Sequence, residues 1–378
     1  MPKPQPNVDV LVLGGHPSAY LAAALLRFKS RIAVVHSTIP NERLPQRLVL
    51  LNPAFFQLHP LLRSLRRKLR MTPLYGIQFL GNDPGIRSEY RSRSVLAYVV
   101  SCNDIRKALV KLADDSGVQF LTAKSIHIQR LNEDRIDITV GRSRLRPRAI
   151  ILAGTLPASE QKTLSVPESW GPDVLHRYTF LTCKTPKSLE LASHATLPMS
   201  LDLGGKLTWA WLLPGNQELQ LAVEQPIQTV ADIPARVLLQ QWLGILQLHG
   251  ILNTPDEIPL EHHQSIDLPL AGALPHEGLA NRTLLIGPAG GFYSACGEDI
   301  YPNCWSAIFA ADIMKKALKE RHLQDALQPY RHKWRTTLGD YLRGPQQNLH
   351  FLLPLIYRNQ IMTTRLAESI LLGKSVVR

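Results

Sequence analysis

The residues best suited to chemistry near the start of this 378-residue chain are Gly14, Gly15, His16, Pro17, Ser18 and Ala19. They stand between a short apolar, β-branched run and an Ala/Leu-rich stretch. A glycine turn between a buried strand and a helix lets a phosphate approach the backbone, while the helix's first N–H groups and positive dipole end face the anion. A second turn of that kind, Gly287-Pro288-Ala289-Gly290-Gly291, follows Leu284-Leu285-Ile286. Beyond it, Gly297-Glu298-Asp299-Ile300-Tyr301 sets two adjacent carboxylates before a helix, where the dipole stabilises negative charge. They read either as caps or as a general acid or base facing a cavity. Cys296 and Cys304 flank that loop as buried small residues or as reactive thiols. Trp209 and Trp211 alternate on an extended segment and so share one face, which is either core or the wall of a cavity. The adjacent His262 and His263 point to opposite faces, which argues against a metal pair. Cys102, Cys183, Cys296 and Cys304 are too widely spaced for a zinc or thioredoxin-like site and read as free thiols.

These residues need elements to hold them. Residues 8–13 read as a buried strand, 18–29 as a helix and 31–36 as a second strand, together a βαβ unit with parallel strands. Residues 103–114 carry Ile105, Ala108, Leu109 and Leu112 on one helical face. Strands are expected at 118–121 and 149–152, and a hairpin over 125–131 and 135–140. Prolines and short alternating strands such as 217–223 dominate 157–275, as in a mostly antiparallel domain. A buried strand returns at 284–286, a helix at 302–319, and the rest is helical and basic.

Several of these segments, taken in order, resemble flavoproteins of the geranylgeranyl reductase and flavin-dependent halogenase group. Val10 to Ala19 is similar to a strand running into G-x-G-P-A-G, with His16 at the second glycine and Ala19 at the third. Residues 98–109 resemble the entry to that group's second long helix, without the arginine expected near Ser101 or Cys102. Ala149 to Leu156 resembles the strand ending in G-A-D-G, with Thr155-Leu156 for Asp-Gly. Trp209-Ala210-Trp211-Leu212-Leu213-Pro214 is similar to W-x-W-x-I-P, Leu284 to Phe292 to G-D-A-A-G-F, and Gly297 to Tyr301 to G-E-G-I.

The resemblance spans residues 8–320 and implies an α/β fold. Its Rossmann-like FAD-binding domain would comprise 1–156 and 276–322, with an inserted β-rich substrate domain at 157–275 and a C-terminal helical segment at 323–378. It implies FAD held by Gly14, Gly15, His16, Pro17, Ala19 and His36 at the nucleotide side. Gly287, Pro288, Ala289, Gly290, Gly291, Gly297, Asp299 and Ile300 would hold the ribityl and ring side, and Trp209, Trp211 and Cys296 would line a substrate cavity. Five positions depart where the group touches flavin. His16 puts a ring where the pyrophosphate approaches, His36 replaces the ribose-binding carboxylate, and Thr155 replaces an Asp. Pro288 offers no hydrogen bond to the ribityl chain, and Asp299 sets a carboxylate at the ring's edge.

Two functions follow. One is an FAD-dependent oxidoreductase, of reductase or monooxygenase type, acting on a hydrophobic small molecule. The other is a non-catalytic protein of this fold that has lost FAD and binds a protein partner or small ligand. The balance of 43 Lys+Arg against 30 Asp+Glu, net +13, favours anionic partners. Its densest cluster, Arg63, Arg66, Arg67, Lys68 and Arg70, alternates with Leu61, Leu62, Leu65 and Leu69 as a surface helix would. No nucleic-acid-binding signature accompanies it, so nucleic acid is not expected. Without a signal-like leader or a run of roughly 18–20 apolar residues, a cytoplasmic protein is expected. The C-terminal helices, with Pro354 interrupting them, read as a cap on the fold or as a peripheral membrane contact.

Overall fold

The computed structural model describes residues 8–27, 31–37, 47–123, 125–131, 135–167, 170–186, 196–203, 208–253, 257–269, 277–343 and 349–374. The apolar run at the start forms the strand Val10–Leu13, buried along its whole length as a central parallel strand must be. It lies between Ile32–Ser37 and Ala149–Leu152. Gln119–Ala123 and Thr283–Leu285 extend this parallel sheet on either side, and Leu279–Ala280 closes one edge antiparallel. The crossover from the first strand is the helix Pro17–Arg27, with Pro17 in the first turn, where its missing N–H costs no hydrogen bond. This helix packs against Cys102–Asp115 and Ile300–Ala317 in one hydrophobic cluster. Ser101 caps Cys102–Asp115 by accepting the Asp104 N–H.

A second sheet has seven strands, in the order Gln264–Pro269, Leu175–Lys184, Glu218–Pro226, Thr208–Pro214, Thr196–Leu203, Gly76–Leu80 and Arg87–Arg91. All its pairings are antiparallel except that of Thr196–Leu203 with Gly76–Leu80. Two of its strands therefore come from before residue 100 and not from the 157–275 segment. The strand period of two sorts its side chains. Trp209, Trp211 and Leu213 face one cluster, while Ala210 and Leu212 face another under the helix Ala235–Leu248. Leu48–Leu51, Ala97–Ser101 and Met71–Leu74 form a small antiparallel sheet between the two larger ones. Ile126–Leu131, Ile136–Val140 and Ser143–Leu145 form the expected hairpin and its extension; its turn at 132–134 lies outside the described residues.

The basic segment is not one helix. Pro60–Arg63 makes a single α turn, Ser64–Arg67 a 3-10 turn, and Met71–Leu74 is drawn out by pairing with Ala97–Ser101. Leu62, Leu65 and Leu69 are still buried and the five cations exposed, because alternating tight turns preserve roughly the same spacing. The helices Leu349–Ile356 and Gln360–Leu372 cap the seven-stranded sheet, with Ile356, Leu366, Ile370 and Leu371 in the same cluster as the two tryptophans. Among the described residues, no helix is long and apolar enough to cross a membrane.

Candidate functional site

The strands Val10–Leu13, Ala149–Leu152 and Thr283–Leu285 bring three turns together at their carboxyl ends. A Cβ on Gly14 (φ +120°) would lie 2.7 Å from the Gly154 nitrogen. One on Gly287 (φ +59°) would lie 2.8 Å from the Ala153 carbonyl oxygen and 2.9 Å from Ser18 Oγ. Both glycines are thus required by the close approach of neighbouring backbones, whether or not a phosphate is bound. Gly15 alone of the turn is half-buried, and the Arg106 Nε–H donates to its carbonyl at 3.2 Å. Arg106 also reaches Tyr20 Oη at 3.4 Å. Arg106 thus ties the first glycine turn to the helix Cys102–Asp115.

His16 is 2 % exposed. Its Nδ1 accepts the Ser18 N–H at 3.2 Å and lies 2.8 Å from Ser18 Oγ. This pattern assigns the proton to Nε2, which donates to Asp299 Oδ2 at 3.3 Å. Asp299 is equally buried, and the same oxygen accepts from Arg47 Nη2 at 2.6 Å. Arg47, which stands just before the buried strand Leu48–Leu51, also donates to the Gly297 carbonyl. A buried His–Asp–Arg network therefore joins the first glycine turn, the small sheet and the loop before Ile300–Ala317. Burial raises the Asp299 carboxyl pKa, but the Arg47 charge and the His16 hydrogen bond outweigh that and hold it below its ordinary value. Burial works against the charge on Arg47, yet Asp299 keeps it firmly protonated.

Its neighbour behaves oppositely. Glu298 caps the helix by accepting the Tyr301 N–H at 2.9 Å, and Tyr341 Oη donates to its other oxygen at 2.9 Å. Burial nevertheless pushes its carboxyl up to about 8. Asp299 occupies the N-cap position without a capping bond, its charge being committed to Arg47 and His16. Asp299 Oδ1 and the Asn303 side-chain amide have no protein partner.

At the loop that the resemblance sets beside a flavin ring, the seven-stranded sheet rests directly on the backbone. Tyr178 Oη donates to the Cys296 carbonyl at 2.6 Å, and a Cβ on Gly297 would meet the Tyr178 ring at 2.7 Å. Trp211 lies beside Tyr178 at 5.0 Å between centroids, the ring planes tilted by 58°. Trp209, Trp211 and Cys296 do come together, but in closed core, with the C-terminal helices behind them. Burial raises the Cys296 and Cys304 thiols well above their ordinary range and Cys102 to about 11, so none is a thiolate nucleophile at neutral pH.

Ala19, Ile300, Gly290 and Gly291 are buried, while Pro288 and Ala289 are half-exposed. Gly291 caps the short turn Gly287–Gly290 in the left-handed conformation. The His36 backbone pairs with Thr122; its side chain lies outside the described residues. His263 Nδ1 lies 2.8 Å from the Leu260 carbonyl, and among the described residues no group of three or more metal-ligating side chains forms. Arg47, Arg106, Tyr178 and Tyr341 escaped sequence reasoning. Only Arg47 carried a signal, a charged residue abutting a fully apolar strand.

At the second-glycine and ring-edge positions the residues present do not fit FAD as they stand, although Gly15, Pro288 and Ala289 stay partly exposed. A dinucleotide site without its dinucleotide leaves its lining accessible, even from an internal cavity. Here residues 290–300 are buried throughout by protein atoms alone. The second-glycine position holds an imidazole tied on both ring nitrogens, and the ring-edge position holds a carboxylate tied to an arginine.

No protein-family model matches the chain, and no curated protein does. Solved structures do match in fold. PqsL of P. aeruginosa in complex with 2-aminobenzoylacetate is 17% identical, covers 94% of this chain and 97% of its own, and superposes with a TM-score of 0.67. A geranylgeranyl bacteriochlorophyll reductase-like protein from Thermoplasma acidophilum is 14% identical over 87% of this chain and 83% of its own, with a TM-score of 0.66. The flavin-dependent halogenase CmlS is 14% identical over 98% of this chain and 73% of its own, with a TM-score of 0.62. The fold is that of FAD-dependent monooxygenases, reductases and halogenases, as the segment order implied.

Proposed function

We propose that this chain is a non-catalytic protein on the flavoprotein fold, one that has given up FAD and serves by binding a small ligand or partner. The observation that carries the reading is the buried His16–Asp299–Arg47 network laid over the first glycine turn. Admitting a pyrophosphate there would expel the His16 ring from two hydrogen-bonded contacts and bring phosphate charge toward the Asp299 carboxylate. Admitting a ring at the loop would part Tyr178 from Cys296 and Gly297. Each step leaves buried polar groups without partners, at a cost of about 1–3 kcal/mol per group.

The test is an absorbance spectrum of the purified chain, followed by FAD titration read by tryptophan fluorescence. A colourless protein with no saturable response is expected. A yellow protein, or saturation in the micromolar range or tighter (about −8 kcal/mol) that persists when Lys107 and Lys111 are replaced by Glu, overturns the reading.

A second reading is favoured by the match along nearly the whole of PqsL, whose complex holds 2-aminobenzoylacetate. It takes the chain as an FAD-dependent oxidoreductase acting on a hydrophobic small molecule, with His16 and Tyr178 swinging aside on binding. The double variant His16→Gly/Pro288→Asp separates the two. It gains little FAD affinity if the space is packed shut, and gains markedly if the His16 ring and the hydrogen bond that Pro288 cannot make are what keep FAD out.

A further inference from the structure

The closed flavin space ends at Arg47, and an open cleft begins there. Arg47 lines a cleft of about 810 Å³ between the small sheet, the start of Cys102–Asp115 and the near end of the seven-stranded sheet. Its walls are polar: Asn103, Thr182, Asn216, Gln217 and Gln264. Arg70 and Asp104 also line a shallower groove, so the two adjoin. That groove is ringed by Lys68, Arg70, Lys107 and Lys111, over a floor of Leu69 and Ala108. Lys107 and Lys111 stand one helical turn apart, opposite the 3-10 turn that exposes Lys68.

Arg47 and Lys184 bring the cations of the joined cleft to six, against the two carboxylates Asp104 and Glu218. Lys68, Arg70, Lys107 and Lys111 have no ion-pair partner among the described residues. Four like charges around one groove repel one another, and a multiply charged anion relieves that repulsion. A lipid surface would call for apolar side chains beside the cations. The exposed large hydrophobics, Ile86, Val237, Leu248, Leu355 and Ile361, line neither part. A nucleic-acid strand would call for exposed aromatic platforms. Among the described residues, the rings in the two linings are Phe180, which is buried, and the single imidazole of His262.

We infer that this cleft is the ligand site of the chain and takes a polar organic phosphate. Its charged group would sit among Lys68, Arg70, Lys107 and Lys111, and its uncharged part in the amide- and hydroxyl-lined interior. The inference rests on the reading of a ligand-binding protein and names the chemistry of its ligand. It is tested by calorimetric titration of the full chain at low salt with inorganic pyrophosphate, ADP and adenosine. Pyrophosphate and ADP should saturate, weakening as salt rises, and adenosine should give no saturable signal. Lys107→Glu/Lys111→Glu, both at exposed positions, should weaken ADP binding by about tenfold or more at an unchanged melting temperature. Arg70→Ala gives an independent reading should the double variant fold poorly.

Absence of saturable binding by both pyrophosphate and ADP overturns the inference, as does full affinity in the variants. So does capture only by anionic vesicles or single-stranded DNA. FAD run as a fourth titrant keeps the two readings apart. FAD binding weakened by the lysine substitutions belongs to this cleft. FAD binding indifferent to them overturns the preceding reading and leaves this one to the pyrophosphate result.

Discussion

Replacing Arg47 by Met removes the charge that holds Asp299 ionised and keeps most of the aliphatic volume. The two side chains are 4 % and 3 % exposed, so the carboxylate would be left in a nearly dry site. Breaking a buried ion pair from one side costs about 3–5 kcal/mol. His16 Nε2–H remains as a donor at 3.3 Å and offsets part of this, which places Arg47→Met near 3 kcal/mol. The double variant Arg47→Met/Asp299→Leu removes both charges. It leaves the His16 Nε2–H short of a partner, at a cost of about 1–3 kcal/mol, while the Gly297 carbonyl loses its donor in both variants alike. The double variant should therefore be more stable than the single, and the cycle should return a coupling of about 2 kcal/mol or more. Urea unfolding followed by tryptophan fluorescence measures all corners, since Trp211 lies beside the network's cover. An Arg47→Met variant within about 0.5 kcal/mol of the parent would mean that water reaches the pair. The space would then be open, and a flavin could enter it.

Other consequences are separable. Glu298, with its pKa raised to about 8 from 4.5, contributes stability that is full below about 4.5 and is lost progressively as pH rises to about 8. Glu298→Gln, which keeps a neutral side chain, should flatten the fall in urea midpoint across that window; an unchanged slope refutes the assignment. Asp299 has the opposite sign: its lowered pKa gives stability above about 3.8 that is lost on acidification, so Asp299→Asn should blunt acid unfolding below that pH. Tyr178→Phe removes the hydrogen bond to the Cys296 carbonyl and should cost about 1–2 kcal/mol. Gly297→Ala should cost more, because its Cβ meets the Tyr178 ring in a left-handed conformation (φ +63°), and equal melting temperatures for the two variants would contradict this. Thiol labelling of the folded chain should be slow, with half-buried Cys183 first and Cys102, Cys296 and Cys304 reacting only on unfolding.

Much of the architecture was legible because burial on both faces leaves a continuous apolar run. Val10–Leu13 and Ala149–Leu152 are such runs, and both are central parallel strands. The helix over 103–114 was legible from one amphipathic face and forms as Cys102–Asp115. The seven-stranded sheet was only half legible. Gly76–Leu80 and Arg87–Arg91 join it from far upstream, and a strand's own pattern does not say which sheet it enters. The basic segment misled because leucines three and four apart suit one long helix as well as two tight turns. His16 and Asp299 were each read as departures from a flavin site, but separately. That they bond to each other across 283 positions, with Arg47 as the third member, is a tertiary fact with no local signature.

The survival of the glycine turns alongside that network has a physical reason. Gly14 is held by the approach of Gly154, and Gly287 by Ala153 and Ser18. These contacts set how closely three parallel strands end together, and they persist with any ligand or none. A side chain at either position would have to part the strands whose interiors form the core. The second-glycine position faces a different constraint: nothing in the backbone packing demands glycine there, so once no phosphate needs the space, a larger residue can take it. His16 does so and gains two buried contacts, to Ser18 and Asp299. Glycines kept for packing thus outlast those kept for the ligand. A glycine turn that keeps only its packing glycines therefore reports the fold and not the cofactor, which is why the proposed ligand site lies at the cleft beyond Arg47, where cations stand unpaired.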